Sequence, residues 1–430
     1  MLRLIIALLV LCPVAASATP RHIFRFGGNI PVSFESSITA IGGTLVSRHD
    51  GAGFTVVEGL TDEEATKLAS KAGALEAIPD ADVRLRLGGL GEASDPAIFA
   101  IAASSPADAP IYPWQWHLRA IGADAAWYAG RLGSSDVTVA VIDTGVSYEH
   151  PDLAGRVDLR RSVSFVPSDD ADVAALFPGK HPVTDLFYHG THVAATIASN
   201  AQIAAGVTQN VTIIGVKVLS RWGEGTFSGV LQGVLWAADH GADVANLSIG
   251  DTLTKKGNGR FAAAIQQAFN YAHRKGTLVV VAAGNESRDL DHDGAEFNMY
   301  CNAANVICVS ATGPASADSI EGPWSDVDEF ASYSNYGRSA ISVAAPGGTV
   351  AARVWAACSK TSLLVPFCQD SDEVLGIGGT SMAAPHVSGL AALLVEDVGR
   401  GKPSQVKARI GAARARPQVV SPSECPKKVR

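Results

Sequence analysis

Three side chains in this sequence have the types that together could transfer an acyl group: Asp143, His189 and Ser381, each in a short glycine-containing motif. Asp143 ends the run Val139-Ala140-Val141-Ile142 and is followed by Thr144-Gly145. A carboxylate at the end of a buried strand needs hydrogen-bond donors or a cation; taken alone it also reads as a helix cap. His189 opens His189-Gly190-Thr191-His192, ahead of an apolar, helix-like stretch. Two histidines at this spacing could ligate a metal, but the glutamate of an HExxH pattern is missing. The other reading has His189 facing a cleft as a base while His192 packs structurally. Ser381 lies in Gly378-Gly379-Thr380-Ser381-Met382-Ala383-Ala384-Pro385-His386. Serine is a favoured N-cap, but free N–H groups and the dipole at a helix start also favour an oxyanion beside its hydroxyl. Asn285, ending Val279-Val280-Val281-Ala282-Ala283-Gly284, marks a turn or supplies a second oxyanion donor.

Such residues need a scaffold that gathers strand ends. From residue 114 the sequence alternates short β-branched runs, at 137–142, 211–219, 244–249, 278–283, 306–309 and 341–343, with helical patterns, notably at 229–239 and 260–274. That alternation predicts an α/β fold, a doubly wound parallel sheet with helices on both faces, whose ligands bind beyond the carboxyl ends of its strands. Residues 19–87 read as a separate small α+β unit in the ferredoxin-like order of strand, helix, two strands, helix, strand, closed by strands at 74–78 and 83–87. Thr61-Asp62-Glu63-Glu64 supplies the cap and acidic first turn of its second helix. Residues 88–113, rich in Gly, Ala, Ser and Pro, read as a linker with a processing site, since small-residue linkers are easily cut. The main domain is then 114–420, with a basic tail at 421–430.

Composition narrows the function classes. Over 430 residues, 47% hydrophobic and 18% charged content allows a sizeable core. The net charge of −8 is mild and unclustered, so neither nucleic acid nor an anionic membrane is an expected partner. Arg3, the apolar run 4–11 and Ala16-Ser17-Ala18 have the pattern of a secretory signal peptide spanning 1–18 and cut after Ala18. Cys12 raises a lipoprotein alternative, against which stands the bulky Leu11. Export permits disulfides, and the simplest pairing joins Cys301 with Cys308 and Cys358 with Cys368, leaving Cys425 unpaired within the chain.

Together, Val141-Ile142-Asp143-Thr144-Gly145, His189-Gly190-Thr191-His192 and Gly379-Thr380-Ser381-Met382-Ala383-Ala384-Pro385 resemble the aspartate, histidine and serine motifs of the subtilisin-like serine proteases, the subtilases. The resemblance runs from about residue 116 to 398. It implies a triad of Asp143, His189 and Ser381, with Asn285 and the Ser381 backbone N–H holding the oxyanion. Leu247-Ser248-Ile249-Gly250 is similar to the wall of the pocket for the residue before the scissile bond, with Ala283 and Gly284 beside it. Gly223-Glu224-Gly225 resembles the edge strand that pairs with substrate backbone, so substrate is expected to lie extended between Glu224 and Ser248. That wall is compatible with a broad, mostly apolar preference, while Glu286 at the rim could admit a basic residue.

The segment before Gly88 is similar to the family's inhibitory prodomain. The implied protein is thus a secreted, self-processed endopeptidase, monomeric, acting on proteins or peptides and inhibited intramolecularly by its own prodomain. A catalytically inactive binding relative would not need the full set of reactive residues, and a serine esterase would not need the strand-pairing segments. No cofactor is required by this reading. Calcium is a candidate ligand at Asp152, where relatives use an aspartate, although the 200–204 loop lacks a convincing ligand set. Asp289, Asp291 and Asp293 mimic half an EF-hand loop, but Tyr300 stands where its bidentate glutamate belongs. An acidic surface loop is the competing reading there.

Overall fold

The computed structural model describes residues 19–88, 92–94, 105–292, 294–370 and 372–413. The signal-peptide region, residues 89–91 and 95–104 of the expected linker, Asp293 and the basic tail with Cys425 lie outside these residues. The chain divides into two compact units at Asp80/Ala81.

In the first unit β1 (Arg21–Arg25), α1 (Phe34–Thr39), β2 (Thr44–His49), β3 (Phe54–Glu58), α2 (Asp62–Ala72) and β4 (Glu76–Pro79) follow one another. The strands form an antiparallel sheet in the order β2-β3-β1-β4. Thr61 caps α2 in a reciprocal box with Glu64, and Gly73, in the left-handed region, ends it. Phe34 packs edge-on against both Phe24 and Phe26 in the core beneath.

The second unit is built on a sheet of β6 (Thr138–Asp143), β7 (Thr212–Lys217), β9 (Val244–Leu247), β10 (Leu278–Ala282), β11 (Val306–Gly313) and β12 (Val343–Pro346). These run parallel in the order β12-β11-β10-β9-β6-β7. The short strand Val163–Ser164 extends the β7 edge, and Glu329–Phe330 pairs antiparallel with β11. Every residue of β6 is buried, as a strand covered on both faces requires. Helices α3 (His189–Ile197) and α6 (Thr380–Val398) pack together, as do α4 (Phe227–Asp239) and α5 (Gly259–Lys275). The chain leaves β6 for β7 on one side and crosses to β9 on the other, so the strand order reverses beside β6. That switch point is where an open α/β sheet leaves a crevice. Disulfides join Cys301 to Cys308 and Cys358 to Cys368.

Two local expectations need correction. The strand expected at 83–87 to close the first unit is instead β5 (Asp82–Arg84), and it pairs antiparallel with β8 (Glu224–Thr226) of the second unit's crevice. Both edges of β1 are already taken, by β3 and β4, so the central strand has no place for it. The expected linker also ends early. Residues 105–114 form two 3-10 turns, Pro106–Asp108 and Tyr112–Trp114, with Ala109 and Ile111 buried and the Ile111 N–H donating to the Ile203 carbonyl at 3.0 Å. A small-residue composition hid the two apolar anchors in this stretch. Glu92–Ser94 pairs antiparallel with Val374–Gly376.

Candidate active site

β6 delivers Asp143 to the crevice, and α3 begins at His189 directly against it. A Cβ on Gly190 would come within 2.2 Å of the Gly145 carbonyl oxygen and 3.1 Å of the Asp143 Cβ, so only glycine allows the helix to start so close to the strand end. His189 Nδ1 donates to Asp143 Oδ1 at 2.8 Å, with both side chains fully enclosed. The proton this bond places on Nδ1 leaves the Nε2 lone pair free to act as a base.

A second carboxylate, which the sequence reading missed, braces this pair. Asp185 is fully buried and accepts from Thr144 Oγ1 at 2.9 Å, Phe187 N at 3.0 Å, Thr191 N at 3.0 Å and Thr191 Oγ1 at 2.6 Å. It thereby ties the residue after Asp143 to the first turn of α3. Burial pushes its carboxyl upward, opposed by the Thr191 bonds.

His192, one turn into α3, directs Nε2 to the carbonyls of Val354 and Leu375 at 3.1 and 3.0 Å. Burial lowers its pKa to about 3 and that of His386 to about 4, and takes that of His117 well below the usual value. His117 and His386 share a 2.8 Å hydrogen bond. These three imidazoles are packing residues kept neutral.

Ser381 is the second residue of α6 and is almost completely buried. Its hydroxyl donates to the Ser248 carbonyl at 3.1 Å, while Ser248 Oγ donates back to the Ser381 carbonyl at 2.8 Å. Asn246 and Ser388 continue this lacing, Nδ2 of Asn246 donating to Ser248 Oγ at 2.9 Å and Ser388 Oγ to Asn246 Oδ1 at 2.8 Å. The end of β9 is thus fastened to the first turns of α6. His189 Nε2 makes no hydrogen bond among the described residues, and the serine hydroxyl is turned from the imidazole toward Ser248.

Asn285 follows β10. Its Oδ1 accepts from Thr380 N at 2.9 Å and Thr380 Oγ1 at 3.0 Å, which leaves Nδ2 to point into the crevice. Thr380 Oγ1 in turn accepts from Gly284 N at 3.1 Å. Ala283 offers its carbonyl to the side-chain amides of Asn298 and Asn335 at 2.8 and 2.9 Å.

The chain itself occupies the crevice. β5 lies antiparallel to β8, pairing Arg84 with Glu224 and Val83 with Gly225. Phe227 N donates to the Ala81 carbonyl and Leu85 N to the Gly223 carbonyl, both at 2.8 Å. Two residues on, the Arg86 carbonyl accepts from Asn285 Nδ2 at 2.6 Å. The expected edge segment Gly223-Glu224-Gly225 therefore carries the strand pairing. Among the described residues this ladder has two strands, and the Ser248 carbonyl is engaged by Ser381. Ile249 and Gly250 continue past Ser248 to Asp251, a carboxylate the sequence reading passed over, which accepts from Arg86 at 3.1 Å. Its signal was there to find, since it directly follows the segment assigned to the pocket wall.

The calcium candidates among the described residues, Asp152, Asp289 and Asp291, are spent on N–H donors, which is the wrong chemistry for a cation site. Asp152 accepts from Ile203 N at 2.9 Å and Ala204 N at 3.1 Å. Asp291 accepts from the Ser339 hydroxyl at 2.7 Å and from the backbone N–H groups of Ser339, Ala340 and Arg338, and these bonds, the hydroxyl's first, bring its carboxyl down to about 2. Asp289 accepts from Asp291 N at 3.0 Å and from His292 Nδ1 at 2.8 Å. Among the described residues no group of three or more His, Cys, Asp or Glu side chains could hold a metal ion.

Comparison with known proteins identifies the family. Residues 134–420 match the subtilase family. A thermophilic serine proteinase of Bacillus sp. (strain AK1) is 35% identical over 328 residues, covering 75% of this chain and 67% of that protein. Thermitase of Thermoactinomyces vulgaris is 32% identical over 293 residues, covering 67% of this chain and 85% of thermitase. Among solved structures, the epidermin leader peptide processing serine protease of Staphylococcus aureus superposes with a TM-score of 0.67 at 20% identity, covering 90% of each chain, a likeness of fold. The family match spans the whole parallel sheet, from the strand that delivers Asp143 to the helix that delivers Ser381, and the chain belongs to the subtilase family as a subtilisin-like serine endopeptidase.

Proposed function

We propose that this chain is a secreted endopeptidase, made as a precursor that processes itself, which hydrolyses peptide bonds in extended segments through Asp143, His189 and Ser381. The observation that carries this reading is the Arg86 carbonyl oxygen, 2.6 Å from Asn285 Nδ2 on a segment paired in extended form with β8. A peptide carbonyl held by that donor, beside a serine at the start of a helix, is arranged for acyl transfer.

In the first step the Ser381 hydroxyl rotates from the Ser248 carbonyl to His189 Nε2. It gives up its proton there as Oγ attacks the peptide carbonyl carbon. Asp143, bonded to Nδ1, holds the tautomer and stabilises the imidazolium. The oxyanion is held by Asn285 Nδ2 and the Ser381 backbone N–H. His189 then passes the proton to the departing amine, and water, activated by the same base, releases the acyl group. Main-chain pairing to β8 supplies much of the binding, which selects unfolded or loop segments.

The N-terminal apolar pattern at 1–18 supports export, and the small unit before the crevice segment supports a prodomain that inhibits until it is cut away. Calcium has no evident role in this chemistry. The test is to incubate the purified chain and its Ser381→Ala variant with casein and to follow their masses. The wild type is expected to shorten and to digest casein, and the variant to do neither. A variant that still processes itself in isolation would overturn the assignment.

A further inference from the structure

The proposed reading leaves open which side chain precedes the cut, and the crevice segment bears on that. Arg86 supplies the carbonyl that Asn285 holds, so its side chain enters the pocket for the residue before the scissile bond. Two carboxylates meet it there. Asp251 Oδ1 lies 3.1 Å from one terminal nitrogen of the guanidinium, and Glu286 Oε1 lies 3.8 Å from its Nε. Both carboxylates are mostly buried, 15% and 16% exposed, whereas Arg86 is half exposed and so reaches in from the open side.

Glu286 is held in place from behind. Its Oε2 accepts from Asn335 Nδ2 at 2.6 Å, and Asn335 Oδ1 accepts from Glu286 N at 3.2 Å and Arg288 N at 2.9 Å. Its Oε1 is buried and accepts no hydrogen bond from the described residues. A carboxylate oxygen kept dry and facing a guanidinium is matched to a cation and penalises an apolar side chain, which would leave both carboxylates without a countercharge. The backbone after Arg86 keeps to the serine motif. A Cβ on Gly88 would come within 2.7 Å of the Gly379 Cα and 2.8 Å of the Gly378 carbonyl oxygen, so the Arg86–Leu87 bond passes between Asn285 and the turn that leads into Ser381.

We propose that Asp251 and Glu286 make this pocket selective for arginine, and that Arg86–Leu87 is the bond the enzyme cuts in itself. This rests on the endopeptidase reading above. Ser381 Oγ bonds to the Arg86 carbonyl carbon and the C–N bond to Leu87 breaks. The serine proton passes through His189 to the Leu87 amine, and water then hydrolyses the ester, leaving an Arg86 carboxylate and a restored hydroxyl. The site lies just before the small-residue stretch at 88–113 in which the sequence reading placed processing. Substrates in other proteins are then extended segments with arginine before the cut, in place of the broad apolar preference suggested by the pocket wall.

Two measurements test this on the full-length chain. Mass spectrometry of the N-terminal fragment, sampled from the earliest time points, is expected to show a carboxyl terminus at Arg86. A first cut at any other bond overturns the self-processing assignment. The processed enzyme is then given two coumarin amides, Val-Arg-Leu-Arg and Val-Arg-Leu-Phe. We expect the arginine peptide to be preferred at least tenfold in kcat/KM, and Asp251→Asn and Glu286→Gln each to lower that ratio by about tenfold, the scale of a hydrogen bond to a charged group. Equal or faster cleavage of the phenylalanine peptide by the wild type overturns the pocket assignment while leaving the endopeptidase reading intact. Failure to cleave either peptide or casein overturns both.

Discussion

The crevice has acidic groups on two of its sides, and they are treated in opposite ways. On the side of α3, Asp143 and Asp185 are wholly enclosed and bonded to donors from the strand end and the helix start that form this wall. On the side of β9 and β10, Asp251 and Glu286 are also mostly buried, yet each presents an oxygen to a guanidinium that arrives from outside the pocket. The first arrangement spends charge on holding an imidazole and a helix start in fixed positions. The second keeps charge in reserve for whatever enters. Burial alone does not distinguish the two; the origin of the partners does.

Breaking the first side should cost most. Asp143→Asn is expected to lower kcat by about 10⁴, because the amide favours the wrong histidine tautomer; steady-state kinetics on casein or a peptide amide measures it. Asn285→Ala, which removes the donor that holds the Arg86 carbonyl, is expected to cost about 10²–10³ in kcat with little change in KM, the scale of the kcat loss when such a donor is removed from a subtilisin. Asp185→Ala strands the N–H groups of Phe187 and Thr191 and two hydroxyls. It should lower unfolding stability by about 3 kcal/mol, read by urea titration in the non-digesting Ser381→Ala background.

The buried histidines beside this wall give a pH signature. His192 and His386 bind protons in the folded state only near pH 3 and 4, whereas the unfolded chain binds them near 6.5. The unfolded state therefore takes up more protons below pH 6.5. The stability present above that pH is lost as pH falls toward 4, by up to about 1.4 kcal/mol per pH unit for each histidine. Urea midpoints between pH 7 and pH 4 follow it. The smallest effect belongs to Glu224, whose pairing with Arg84 is open to water. Glu224→Ala should change kcat/KM by less than about fivefold, the range of an exposed ion pair.

Much of the first side was legible in the sequence, since a buried run ending in aspartate, a histidine ahead of an apolar stretch and a glycine-flanked serine each leave a local mark. The parallel sheet was legible for the same reason: its strands are β-branched runs buried on both faces. Asp185 left no such mark. Its importance comes from donors at Thr144 and Thr191 that the fold assembles around it, and nothing within a few residues announces them. β5 was read as a strand but assigned to the wrong sheet, because periodicity gives a strand's faces and not its neighbour. Asp251 and Arg86 lie 165 positions apart, and only the crevice makes one meaningful to the other.

The loop that Asp152 holds by the N–H groups of Ile203 and Ala204 has a consequence for handling the protein. Where a bound ion fastens a loop, the fastening depends on the medium and can be withdrawn by a chelator. Here the clasp is synthesised with the chain. Purification buffers that strip divalent cations should leave this corner of the enzyme as they found it.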